Sequence, residues 1–300
     1  MANIHMGYMG HCTLTASGTT TQYLITGSSL NAVQTINAPD LVAAWYLRKG
    51  WNYGKVEIGG NVTGPLHDLA TSLWSESLVR SDARDHMLTK DIEVDLAFYK
   101  AKGLKFSNCS IGTLELTATA GEVVNFTIDF MGSKAPDSTD YTTAVDCLDA
   151  DVTTPCSKLI TWDRVQFGVS TLASTSNFQS FTFTVNNNLE RQYSITGDIV
   201  GTADLYPVDI TAGLRNVSGT VSMYAEGPLC LGRGIFPLGN FGANKYDDYD
   251  ASDRTTVTFA IDTIVPSTAV DVVFNRPESS ATVGTTIYTL NWTAVCDMDI

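Results

Sequence analysis

The residues that most constrain the fold run from 104 to 132, LKFSNCSIGTLELTATAGEVVNFTIDFMG. Leu114, Leu116 and Ala118 alternate with Glu115, Thr117 and Thr119. Ala120-Gly121 offers a turn, and Val124, Phe126, Ile128 and Phe130 then alternate with Asn125, Thr127 and Asp129. A period of two on both arms puts one face in a core and the other toward polar surroundings, so the stretch predicts an amphipathic β-hairpin. It holds no nucleophile, base or ligand cluster. A chain organised around it makes a surface, and its function lies in what that surface assembles with.

The rest of the composition agrees with sheet. Charged residues make up only 17% of the 300 residues and hydrophobic ones 44%, so the chain has the means to fold around a core. Its wealth of Thr, Ser, Val and Gly suits strands joined by tight turns. The formal net charge of −14 argues against a groove that grips nucleic acid, which needs Lys and Arg on the phosphates. It is compatible with a surface that DNA passes without sticking. No run of about 18 apolar residues predicts a membrane helix. The opening MANIHMGYMGHC lacks the basic and apolar segments of a signal peptide, so synthesis in a cytoplasm is expected.

Along the chain, residues 1–12 read as an N-terminal arm and 13–26 as two short strands around Ser17-Gly18. Residues 28–49 are mixed, with a helical turn predicted after Pro39. A strand then closes in Gly64-Pro65. Residues 67–79 hold the best helix pattern, with Leu69, Leu73 and Trp74 on one face. DIEVDLAFY alternates again before the hairpin. Residues 134–159 are acidic, rich in Thr and Asp, and read as a linker or excursion. Strands resume at 160, with Asn186-Asn187-Asn188 as a turn after FTFTV.

The two halves read alike in the same order. Gly50-Trp51, a strand and Gly64-Pro65-Leu66 match Gly213-Leu214, a strand and Gly227-Pro228-Leu229. IEVDLAF then matches TVTFAID, and NFTIDFMG matches YTLNWTAV. The expected organisation is therefore two tandem β-sandwich or barrel units, residues 13–133 and 160–300, each of roughly 130–140 residues. The fold class is all-β with a minor helix.

A search for chemistry returns little. His5, His11, His67 and His86 are scattered, with no nucleophile motif beside them. No phosphate-binding loop is present. The cysteines form no CxxC pair; they read as small buried thiols, although Cys147 and Cys156 bracket a loop and could join if oxidised. Asp247, Asp248, Asp250 and Asp253 admit a calcium site or a solvated loop; without the ligand spacing and central Gly of an EF-hand, the solvated loop is favoured. The aromatics lie mostly within alternating strands, where packing is their expected fate rather than a sugar-binding face. No enzyme, metal or cofactor is expected.

The hairpin carries a resemblance. Its strand Ile111-Gly112-Thr113-Leu114-Glu115-Leu116, its turn Ala120-Gly121-Glu122 and its return Phe126-Thr127-Ile128-Asp129-Phe130-Met131-Gly132 are similar to the major tail tube proteins of long-tailed bacteriophages. Phe183-Thr184-Val185 with the asparagine turn, and Gly213-Leu214-Arg215, repeat the likeness in the second half. The chain resembles the form of that family with two tube domains fused. The resemblance implies a subunit that adds strands to a ring-shaped inner β-barrel. It implies pseudo-hexameric rings, here trimers, stacked as a negatively charged channel for DNA delivery. It further implies residence in the virion tail, synthesis in the host cytoplasm and no membrane binding. Tape-measure, tail-terminator and tail-tip proteins are the implied partners. Glu93, Asp95, Glu115 and Asp129, on polar strand positions, are the candidate lumen-facing acids. Another β-rich virion protein and a surface carbohydrate-binding module stand as the alternatives.

Overall fold

The computed structural model describes residues 11–16, 19–37, 52–67, 92–98, 102–134, 159–169, 178–194, 205–224, 255–262, 264–274, 278–282 and 285–294. The first half contributes β1 (His11–Ala16), β2 (Thr19–Leu24), β3 (Gly27–Ser28), β4 (Asn31–Asn37), β5 (Asn52–Pro65), β6 (Ile92–Phe98), β7 (Lys102–Thr119) and β8 (Asn125–Lys134). The second contributes β9 (Val165–Val169), β10 (Phe178–Asn186), β11 (Leu189–Gln192), β12 (Asp209–Ala212) and β13 (Asn216–Tyr224). It ends with β14 (Thr255–Ile261), β15 (Val265–Phe274), β16 (Glu278–Thr282) and β17 (Thr285–Ala294). The fold is all-β. Among the described residues no helix is long and apolar enough to cross a membrane.

The hairpin read from the sequence forms as expected, from β7 and β8. Along β8 buried and more open residues alternate, with Phe126, Ile128 and Phe130 inward. Thr119 accepts the backbone N–H of Glu122 across the turn, and Gly121 takes φ 87°, a left-handed value that costs glycine nothing. The asparagine turn is also present. Asn188 adopts φ 48°, and the Asn186 side chain accepts its backbone N–H. The first strand starts at His11, slightly before the arm was expected to end. The helix expected after His67, the turn after Pro39, the linker interior, Cys147, Cys156 and the Asp247–253 loop lie outside the described residues.

Strand order recurs along the chain. In the first half β1, β6, β7, β8, β5 and β4 pair in that sequence, all antiparallel. In the second half β9, β14, β15, β17, β13 and β10 do the same. Ranked by position in the chain, both runs read first, fourth, fifth, sixth, third, second. One ladder joins them: β10 pairs with β7 from Ser180↔Thr119 to Asn186↔Thr113, within a single 15-stranded sheet. The same edge of β7 serves β6 earlier along its length, through Lys102–Cys109. Asn108 at φ 54° and a bulge between Ile111 and Thr113 let β7 turn from one neighbour to the next.

Both runs curl over one continuous core of buried apolar side chains. In the second, Phe259 of β14 lies 4.5 Å from Phe183 of β10 between ring centroids, and Phe183 lies 6.0 Å from Trp292 of β17. These strands are not ladder neighbours of β14, so the rings mark two layers facing across the core. In the first, Tyr23 of β2 meets Phe126 edge-on at 5.7 Å and buried His67 at 5.8 Å. Cys12 and Cys109 are both buried in this core.

Candidate functional site

The opposite face of the central strands is the main candidate surface. Six adjacent strands, β5-β8-β7-β10-β13-β17, hold their outward residues in register. One row reads Thr63, Thr127, Glu115, Thr184, Ser218, Thr293. The next reads Pro65, Asn125, Thr117, Thr182, Thr220, Asn291. The flanking rows add Asn61, Asp129, Thr113, Asn186 and Asn216 on one side, and Thr119, Ser180, Ser222 and Thr289 on the other. These residues are intermediate or exposed, whereas the alternate positions of β8, β7 and β10 form the core. Local sequence explains the division. β-Branched Thr favours the pleated strand, and its hydroxyl keeps the solvent side wet. Ser222 and Thr289 hydroxyls meet across the ladder at 3.2 Å, and Thr117 donates to Glu115 at 3.5 Å.

Within these rows the charged residues are Glu115 and Asp129, and neither Lys nor Arg occurs. The face thus pairs two expected acids on β7 and β8 and separates them from the other two. Glu93 sits on β6 and takes Lys105 Nζ at 3.0 Å, so its charge is offset. Asp95 occupies the β6 register position opposite Lys105 and Thr13.

The face is bounded at the Asp129 end by the β11·β12 hairpin. Arg191 donates to the Ile58 carbonyl at 2.6 Å, and the Tyr193 hydroxyl donates to the Val56 carbonyl at 3.1 Å. Lys55 pairs with Glu57 at 2.7 Å and lies 5.5 Å from the Tyr193 ring centroid. Burial pushes the Asp129 carboxyl above its usual range, and the nearby Arg191 guanidinium only partly counters it. Buried Asn187 ties the halves together: its amide donates to the Ile111 carbonyl at 3.0 Å and its oxygen accepts from Arg215 Nε at 3.0 Å. Sequence reasoning took Asn187 only as a turn residue. Its second role depends on the β7·β10 contact, which no local pattern announces.

Among the described residues no group of three or more His, Cys, Asp and Glu converges to hold a metal. What the geometry defines is a protein that presents a wide, hydroxyl-rich sheet face, with no Lys or Arg in its four rows, over a packed core. Residues 7–227 match the family model of the phage tail tube protein, and the chain belongs to that family. It is a structural, non-enzymatic family, and this chain is a structural component of a phage tail. Among curated proteins none matches the chain.

Proposed function

We propose that the chain is a tube-building subunit that self-assembles into stacked rings around a channel for DNA, and that the polar six-strand face lines that channel. The observation that carries the reading is the make-up of the face: hydroxyls, amides and two carboxylates, with no cation in its rows. A phosphate backbone binds where Lys and Arg release its counterions, and such a face offers none. Glu115, Asp129 and the net charge of −14 add repulsion, so DNA slides past instead of sticking.

We further infer that the chain is a duplication, supported by the recurring strand order. Each half takes one place in the ring, and three chains close a pseudo-sixfold circle through heterologous contacts. On this reading the tape-measure, tail-terminator and tail-tip proteins are its neighbours in the virion, and it is made in the host cytoplasm. Electron microscopy of the purified chain tests the assembly. Hollow tubes whose cross-sections show three chains and six similar lobes are expected. Persistent monomers, or rings of six whole chains, overturn it.

A further inference from the structure

The recurring strand order has a bearing on how one copy meets the next. In the second run β10 holds the place that β4 holds in the first: each is the second strand of its run and the terminal neighbour of the matched strands β13 and β5. Likewise β16 pairs with β17 as the outer part of β7 pairs with β8, each strand entering the hairpin that closes its run. Within the chain, β10 fills the edge of β7. Among the described residues, β4 pairs only with β5 and β16 only with β17.

We propose that the β4 edge of one chain adds antiparallel to the β16 edge of the next copy, making the intermolecular equivalent of the internal β7·β10 ladder. This rests on the self-assembly reading and names the surfaces that carry it. The occupant is a second copy because the chain already contains the mating geometry once, between its own halves. β4 looks like a strand awaiting cover. Val33 is 55% exposed and Ile36 64%, both apolar and both on this strand. Solvent-facing apolar residues on an unpaired edge are an invitation to strand addition, and a lasting free edge of this kind is normally blunted by charge. Residues 31–37 carry none. The contact is heterologous, with different edges on the two partners, so it propagates in one direction, as a ring of like subunits requires. β2 also ends the sheet, but among the described residues it has no counterpart in the second half and no internal ladder shows it a partner.

The test uses the full chain with the photoreactive amino acid p-benzoylphenylalanine in place of Val33, assembled and then irradiated. Covalent chain dimers are expected, with mass spectrometry placing the adduct on residues 278–282 of the other copy. A second variant, Val33→Lys, puts a charge on the edge. It is expected to keep the parent circular dichroism spectrum and to lose assembly in sedimentation. If the chain assembles but residue 33 cross-links to β2 or elsewhere, or Val33→Lys assembles like the parent, this edge assignment fails while the tube reading stands. If the unaltered chain never assembles, both fall.

Discussion

Gly219 gives the sharpest test of the packing beneath the polar face. In the ladders it stands between Phe183 of β10 and Trp292 of β17. A Cβ built there lies 2.2 Å from the Thr182 carbonyl oxygen and 2.4 and 2.6 Å from Cζ2 and Cε2 of Trp292. Ordinary contacts between heavy atoms lie near ~3.5 Å. Adding one methyl to a packed core costs about 1–3 kcal/mol. Gly219→Ala belongs at the upper end, because the nearest obstacle is backbone and the indole is 1% exposed with Phe183 beside it. About 3 kcal/mol corresponds to a fall of roughly 5–10 °C in melting temperature for a chain of this size. Thermal unfolding of the dissociated chain, followed by circular dichroism, measures it. Adding Trp292→Leu removes two of the three contacts. The double variant should therefore lose less than the sum of its parts, by about 1 kcal/mol or more. If Gly219→Ala melts with the parent, the description of this seam is wrong.

Other predictions concern the face and its border. Glu115→Lys with Thr184→Lys, neighbours in one row of the ladder, should leave assembly intact while slowing DNA ejection, read as a drop in plaque-forming titre; unchanged ejection would remove the face from the channel. Asn187→Ala strips a buried partner from the Ile111 carbonyl and from Arg215, so a loss of about 2–3 kcal/mol is expected in urea unfolding. Asp129 has a raised carboxyl pKa, so its charged form opposes folding above that value, and the opposition vanishes as pH falls below the ordinary carboxylate range. Asp129→Asn should therefore match or exceed the parent's melting temperature at pH 7, with the difference closing toward pH 3; a variant that is less stable at pH 7 would show the Arg191 attraction to dominate. Burial pushes the Cys109 thiol up to about 12, so iodoacetamide at pH 8 should label it only after unfolding, as peptide mass spectrometry would read.

How far the sequence could be read follows from where burial is asymmetric. The β7–β8 hairpin was legible residue by residue because one face is core and the other polar, and its turn needs the φ of Gly121. β4 was not, since Asn31–Asn37 has little cover and Val33 and Ile36 remain exposed, so no alternation develops. The β7·β10 ladder was illegible for a different reason. Alternation tells which residues share a face but not which strand lies alongside, and these partners are separated by the whole 135–158 segment. Of the four acids, periodicity placed all on polar positions. It also put Glu115 and Asp129 on one face of the hairpin, but only the ladders extend that face over six strands and leave Glu93 with Lys105.

The six-strand ladder also determines how the protein bears load. Its strands are antiparallel neighbours from β5 through to β17, and the β10 rung alone joins seven residue pairs, from Ser180↔Thr119 to Asn186↔Thr113. Tension along the strand direction stresses those hydrogen bonds in shear, so they must give way together. Tension across the strands peels them one after another, beginning at an edge. The sheet is stiff along one axis and unzips along the other, so a pulling experiment with handles at Thr113 of β7 and Ser180 of β10, opposite ends of that ladder, should meet a higher force than one with handles on the facing pair Thr113 and Asn186.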